Sequence, residues 1–297
     1  MSTISTDLRP AGAESNQEFQ RALYCLRQSP LSMVGLVMVT FVVVVALLGP
    51  VIVPFPEDTT GNTRMEARLT APNDVYRMGT DDVGRDVFSR TVIATQTSLV
   101  MGVVVLVIAI CIGVPLGAIS GYLGGWVDEV IMRVTDIFLT VPALVLAMAM
   151  AAALGTGMVN AMIAISLVWW PGFARLTRGQ VLALRELDYI EAARAVGASR
   201  THTIVRHILP NVLSPVIIKA SMDMGFAILI TAALGYIGVG VQEPTPEWGL
   251  MISLGRSLLR QAWWVSVFPG MAMFITVLGF NLLGDGLRDV FDPKMRR

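Results

Sequence analysis

Asp81, Asp82, Arg85 and Asp86 stand within six residues of one another. Such a group suits a metal, acid/base chemistry, or the plainer work of capping a helix and pairing locally. The run of apolar residues that follows favours the plainer reading, with contact to a partner subunit or binding protein as the alternative. His202 and His207 have no carboxylate and nucleophile grouped beside them and read as polar surface. Cys25 and Cys111 are isolated, with no CxxC or Cys/His cluster, which argues against a disulfide framework or a zinc site. The lysines are Lys219 and Lys294, and neither follows a GxxxxG loop, so no phosphate-cradling Walker A is present. The chain is therefore expected to be no enzyme and to bind no cofactor of its own. One constellation remains: Lys219 and Asp223, four apart, share a helix face inside an apolar stretch. Intramembrane ionisable residues usually face a bundle interior or a wet cavity and are often paired. The pair lines a solute path, or it is a structural ion pair within the chain or across to a partner.

The elements that position these residues are membrane helices. Hydrophobic residues make up 54% of the chain and charged residues only 15%, too few to coat a water-facing surface. The balance of 22 basic against 22 acidic residues gives no footing for nucleic acid. A spanning helix needs about 20 mostly apolar residues, and six stretches approach that: 33–53, 98–119, two within the uncharged block 137–174, 212–237 and 265–283. Gly155-Thr156-Gly157 divides the shared block as a hairpin turn. The polar first 28 residues and the length of the run from Leu31 to Phe55 predict an uncleaved first span rather than a signal peptide. Lys and Arg are about twice as frequent in one set of connecting segments (Arg133, Arg175, Arg178, Arg185, Arg194, Arg200, Arg206 and both termini) as in the other. That bias places both termini in the cytoplasm. Trp169 and Trp170 at the end of the fourth span, and Trp263 and Trp264 at the start of the sixth, are expected as interfacial anchors. Arg133 and Asp136 are expected to fix the start of the third. Prolines 115, 142 and 171 and glycines 113, 117 and 235 are expected as bending points within spans.

One connection is long. From Gly172 to Asn211 the chain is expected to leave the membrane on the cytoplasmic side. Asp188-Tyr189-Ile190-Glu191 has the form of a capping box, and Gly197 stands where a helix would stop in the left-handed conformation. Ser199 is expected to cap a second helix, 200–208, ending at Pro210. The outcome is a short helix of small residues on a bent arm, open to another protein or, on the plainer reading, packed on the chain's own membrane surface.

Glu191-Ala192-Ala193, Gly197 and Ile208-Leu209-Pro210 match the EAA---G---------I-LP signature in content and spacing. The arm thus resembles the cytoplasmic loop of permease subunits of binding-protein-dependent ABC importers. Met78 to Arg90 (MGTDDVGRDVFSR), Pro244 to Gly249 (PTPEWG) and Phe280 to Asp289 (FNLLGDGLRD) resemble the dipeptide/oligopeptide C-type branch. The resemblance covers the chain beyond its first 25 residues or so. It implies an all-α membrane protein of six transmembrane helices with the type I importer fold and a cytoplasmic coupling helix. Residues 1–30 form a cytoplasmic segment, 31–95 the first span and an extracytoplasmic loop, 96–290 a five-helix core with the arm at 172–211, and 291–297 a tail.

By the same resemblance, Asp188, Glu191, Ala192, Ala193, Gly197, Leu209 and Pro210 couple the chain to an ATPase. Its partners are a homologous B-type permease, two ATP-binding subunits that carry ATP and Mg, an extracytoplasmic solute-binding protein and the bilayer of a bacterial inner membrane. Short peptides are the implied cargo. The branch also carries nickel, glutathione, opines and oligosaccharides. A secondary carrier would want an internal repeat and midplane carboxylates. Among the carboxylates only Asp223 qualifies.

Overall fold

The computed structural model describes residues 29–291. Helix α1 (Pro30–Ile52) begins at Ser29, whose hydroxyl accepts from the Ser32 amide. A loop with two short 3-10 turns leads to α2 (Val87–Leu123). Next come α3 (Gly125–Thr140), α4 (Ala143–Leu154) and α5 (Met158–Leu184). The arm carries α6 (Asp188–Ala195), α7 (Arg200–Thr203) and a π-helical turn (Ile204–Ile208) that runs into α8 (Leu209–Ile237). A second loop holds α9 (Trp248–Gly255), and α10 (Trp264–Phe291) closes the fold.

Helices α1, α2, α5, α8 and α10 are each long and apolar enough to cross a bilayer. The expected third span is instead a broken pair: α3 and α4 meet at 94° across Val141-Pro142. Pro142 explains the break, since the residue before a proline is driven out of the helical region. Counted as one crossing, the pair makes six. The described ends, Pro30 and Phe291, then lie at the same end of the bundle as the arm. Ser32 and Gly35 of α1 meet Gly286 and Leu282–Leu283 of α10 there.

Small residues bring the helices together. Without a hydrophobic drive between helices in lipid, close backbone approach supplies the packing. Gly113, Gly117 and Gly121 recur every four residues on one face of α2. A Cβ on the first would overlap the Trp170 carbonyl, on the second the Ala174 carbonyl, and on the third would press on Arg178 and Val181. Gly113 and Gly117 thus form a packing seam. Gly235 gives room to the Glu247 carboxylate.

This seam also corrects the expected arm. Helix α5 does not leave the bundle at Gly172 but continues to Leu184, with Pro171, Phe173, Ala174, Thr177 and Val181 buried. Trp169 and Trp170 consequently lie within α5, and Trp170 is buried with an edge contact to Phe138. Neither is an end-of-span anchor. At the start of α10, Trp264 is likewise buried, donating to the Thr80 carbonyl at 3.0 Å, while Trp263 is exposed. Asp136 fixes α3 to α5 through Arg175 at 2.6 Å, and Arg133 pairs with Glu129 at 3.5 Å. Cys111 is exposed on α2, and Cys25 lies outside the described residues.

Candidate functional site

The arm begins where α5 ends. Helix α6 buries a single side chain, Ile190, and leaves Asp188, Glu191, Ala192 and Ala195 exposed, with Ala193 half-buried. The capping box does not form. The helix starts one residue earlier than expected, with Leu187 at the cap position and no side-chain bond to the first amides. Asp188 is the first helical residue, where a carboxylate still favours the positive end of the helix dipole. The stop is as expected and fully formed. Gly197 has φ +83°, its amide donates to the Arg194 carbonyl at 2.9 Å, and the Ala198 amide donates to Ala193 at 3.0 Å. These are the two bonds of a Schellman motif. Val196, just before the stop, is 85% exposed.

Ser199 caps the next segment by accepting from the His202 amide at 3.2 Å. The helix does not end at Pro210. The Leu209 amide reaches back five residues to Ile204, and the chain continues as α8. Proline offers no amide and its ring crowds the carbonyl four back. The wider turn ahead of it relieves that crowding, and Asn211 Nδ2 donates to the His207 carbonyl at 2.6 Å. Leu209 and Pro210 therefore form the root of the arm rather than a terminus. His207 packs edge-on against Tyr189 and His202, with centroids 6.5 and 5.7 Å away, and so braces α6 against this root.

Lys219 and Asp223 lie ten and fourteen residues into α8, roughly 15–21 Å along the helix from Leu209 at 1.5 Å per residue. They are paired, Nζ to Oδ2, at 2.9 Å. The pair is also tied to α5: Trp169 Nε1 donates to Asp223 Oδ2 at 3.0 Å, and the Lys219 ammonium lies 5.3 Å from the Phe173 ring centroid. Gly172 leaves space for the lysine stem. The side chains remain 30% and 15% exposed, so the pair is neither sealed in the core nor free at a surface. The structure does not bring this pair together with the arm residues; α8 joins them end to end.

The opposite end of the bundle is a knit of charges. Asp86 caps α2, accepting from the Ser89 amide at 2.7 Å. Arg85 pairs with Asp81 at 2.7 Å and reaches Glu243 at 2.6 Å. Its own burial works against the charge, and those two carboxylates outweigh it, so its pKa rises. The cap and local pairing expected for Asp81, Arg85 and Asp86 are therefore present. Asp58, fully buried, accepts from the Asp86 amide at 2.8 Å and from Arg64 at 2.6 Å. Arg90 donates to the carbonyls of Asp58 and Pro244 at 2.9 and 3.2 Å.

Glu247 was not foreseen. It caps α9, its two oxygens accepting from the Gly249 and Leu250 amides at 2.9 and 2.8 Å, and it is buried. Burial drives its pKa up against those bonds, as burial and then Asp58 do for Asp86. Trp248 donates to the Thr91 carbonyl at 3.2 Å, and a Cβ on Gly249 would overlap the Ala232 carbonyl. Each residue of Glu247-Trp248-Gly249 thus has a packing reason.

A six-crossing bundle with a displayed, glycine-stopped helix on a bent arm has the architecture of a membrane permease. The chain belongs to the family of binding-protein-dependent transport system inner membrane components, which residues 113–297 match. Residues 18–72 match the N-terminal transmembrane domain of oligopeptide transport permease C. It is 46% identical over 274 residues to the probable D,D-dipeptide transport system permease protein DdpC of Escherichia coli K12, covering 92% of this chain and 91% of that one. It is 42% identical over 278 residues to the dipeptide transport system permease protein DppC of Alkalihalophilus pseudofirmus, covering 94% and 90%. It is 43% identical to the glutathione transport system permease protein GsiD of Shigella flexneri, covering 91% and 88%. Among solved structures the fold is similar to an inward-facing form of the MetNI methionine ABC transporter, with TM-score 0.54, 20% identity, and 66% of this chain and 94% of that one covered.

Proposed function

We propose that this chain is the permease subunit of an ATP-driven importer of di- or oligopeptides, forming half of the solute path. The other half comes from a homologous second permease. ATP and Mg are bound by two separate ATP-binding subunits, and an extracytoplasmic binding protein delivers the solute. The observation that carries this reading is α6. One buried residue anchors it, small side chains face outward, and a closed Schellman stop holds its end, so another protein can approach the helix backbone closely. Glu191, Ala192, Ala193 and Gly197 form the docking surface, with Asp188 at its start. Leu209 and Pro210 form the root through which a push on α6 is passed to α8. The bias of Lys and Arg supports a cytoplasmic arm and cytoplasmic termini in an inner membrane.

Peptides as cargo are supported by the names of the relatives and by the partly exposed charge pair. The two ends of a zwitterionic peptide are met by Asp223 and Lys219 along the path. Glutathione is the second reading, favoured by the relative that carries that name.

The test is reconstitution with both permeases, the ATP-binding subunits and the binding protein in sealed vesicles. Uptake of a labelled dipeptide should need ATP on the arm side and persist after ion gradients are collapsed. Ion-driven uptake by this chain alone would overturn the reading.

A further inference from the structure

The last turn of α2, the end of α5 and the beginning of the arm surround a cavity of about 520 Å³. That size falls within the range of small-ligand sites, about 300–1,000 Å³. Arg185, Arg194 and Arg200 line it, with Glu186 as the acidic member and Tyr122 and Ala198 completing the wall. Two of the guanidinium groups are held in place. Arg185 donates to the Gly121 carbonyl at 3.0 Å and pairs with Glu186 at 2.9 Å. Arg194 lies over the Tyr122 ring, 5.3 Å from its centroid, and donates to the Arg185 carbonyl at 3.2 Å. The Arg200 guanidinium has no hydrogen-bond or ion-pair partner among the described residues, and the residue lines the same cavity. Three positive charges against one leave the cavity short of anions, and like charges gathered this way are relieved by a bound anion. Guanidinium forks suit phosphate oxygens in geometry as well as charge.

The position narrows the source of that phosphate. Tyr122 and Leu123 end one membrane-crossing helix, and Arg185 directly follows another. The cavity thus lies at the arm-side ends of two membrane-crossing helices. Basic pockets between spans at the cytoplasmic face take phosphate headgroups. We propose that this cavity binds the phosphate of an anionic phospholipid from the leaflet on the arm side. The bound headgroup joins the end of α2 to Arg194 of α6, and so steadies the displayed helix. The inference rests on the cytoplasmic placement of the arm.

The test is native mass spectrometry of the delipidated, detergent-purified chain with added phosphatidylglycerol or phosphatidylcholine. The wild type should retain phosphatidylglycerol in preference to phosphatidylcholine. Arg200→Gln should weaken that retention about tenfold, the loss of one charge-assisted hydrogen bond. The double variant Arg194→Gln/Arg200→Gln should abolish the preference, and Arg200→Lys should keep most of it. Equal retention of the two lipids, or no difference between wild type and the double variant, would overturn the proposal. So would displacement of phosphatidylglycerol by millimolar inorganic phosphate, which would mark a free-anion site. The Arg200 guanidinium makes no hydrogen bond or ion pair among the described residues, so its single variant remains informative if the double one fails to fold. Retention is read without ATPase or solute, so its failure is distinct from a failure of coupling.

Discussion

Trp169 of α5 donates its indole N–H to Asp223 of α8 at 3.0 Å, and Asp223 in turn holds Lys219 at 2.9 Å. A charge pair inside an apolar bundle is therefore tied to a neighbouring helix by a donor that keeps its ring in the packing. Trp169→Phe keeps the ring and removes the donor. It should lower stability by about 1–2 kcal/mol, the scale of an interhelical hydrogen bond in a membrane, read as a fall in melting temperature in detergent. Neutralising both Lys219 and Asp223 should preserve insertion yet change the preference between peptides with free and blocked termini. Unchanged uptake by that double variant would remove the pair from the solute path.

The glycine seam of α2 makes a second prediction. A Cβ at Gly117 overlaps the Ala174 carbonyl, and backbone cannot yield as a flexible side chain can. Gly117→Val should cost more than the roughly 1–3 kcal/mol typical of overpacking and prevent isolation of a monodisperse protein. Gly179→Ala on α5 meets nothing within 4 Å and should be silent. Size-exclusion profiles of the two variants separate the outcomes.

Gly197 is constrained by conformation rather than space: φ is +83° and a Cβ would meet nothing within 4 Å. Gly197→Ala should therefore loosen the end of α6 by about 1–2 kcal/mol, and Gly197→Asn by less, since asparagine visits the left-handed region more readily. Limited proteolysis of the arm should rank the three proteins glycine, asparagine, alanine in order of resistance.

Much of this was legible in the sequence, and the misses have physical causes. Asp86 and Ser199 cap as their positions suggest, and Gly155-Thr156-Gly157 turns where it should, with Gly155 and Gly157 at φ +93° and +131°. Local chemistry decides such features. The boundaries of α5 and α8 were misread because tertiary packing and a π turn carry helices through Pro171 and Pro210, which local rules treat as stops. Trp169 and Trp170 resembled anchors for the same reason, since a helix that continues to Leu184 moves them to its middle. Glu247 gave no signal because a glutamate at a cap is uncommon. Only the approach of Gly235 and Ser98 in three dimensions reveals it.

Burial raises the pKa of Glu247, and of Asp86, from its ordinary value. The folded state thus holds protons that the unfolded chain has released. The resulting stabilisation is full below the unfolded pKa and is lost as pH rises through the folded value. Melting temperature should accordingly drift downward as pH climbs out of the ordinary carboxylate range. Glu247→Gln, which cannot ionise, should flatten that slope. An unchanged slope would mean Glu247 stays charged in the fold.

The coupling role of α6 is tested most directly in the assembled complex carrying Glu191→Lys with Ala193→Asp. The quantities to measure together are ATP hydrolysis stimulated by solute-loaded binding protein and peptide uptake. If α6 transmits the work of the ATPase, the variant remains inserted and folded, keeps basal hydrolysis, and loses both stimulation and uptake. Stimulated hydrolysis and uptake at wild-type levels would contradict it, and would move the coupling to another surface of the chain.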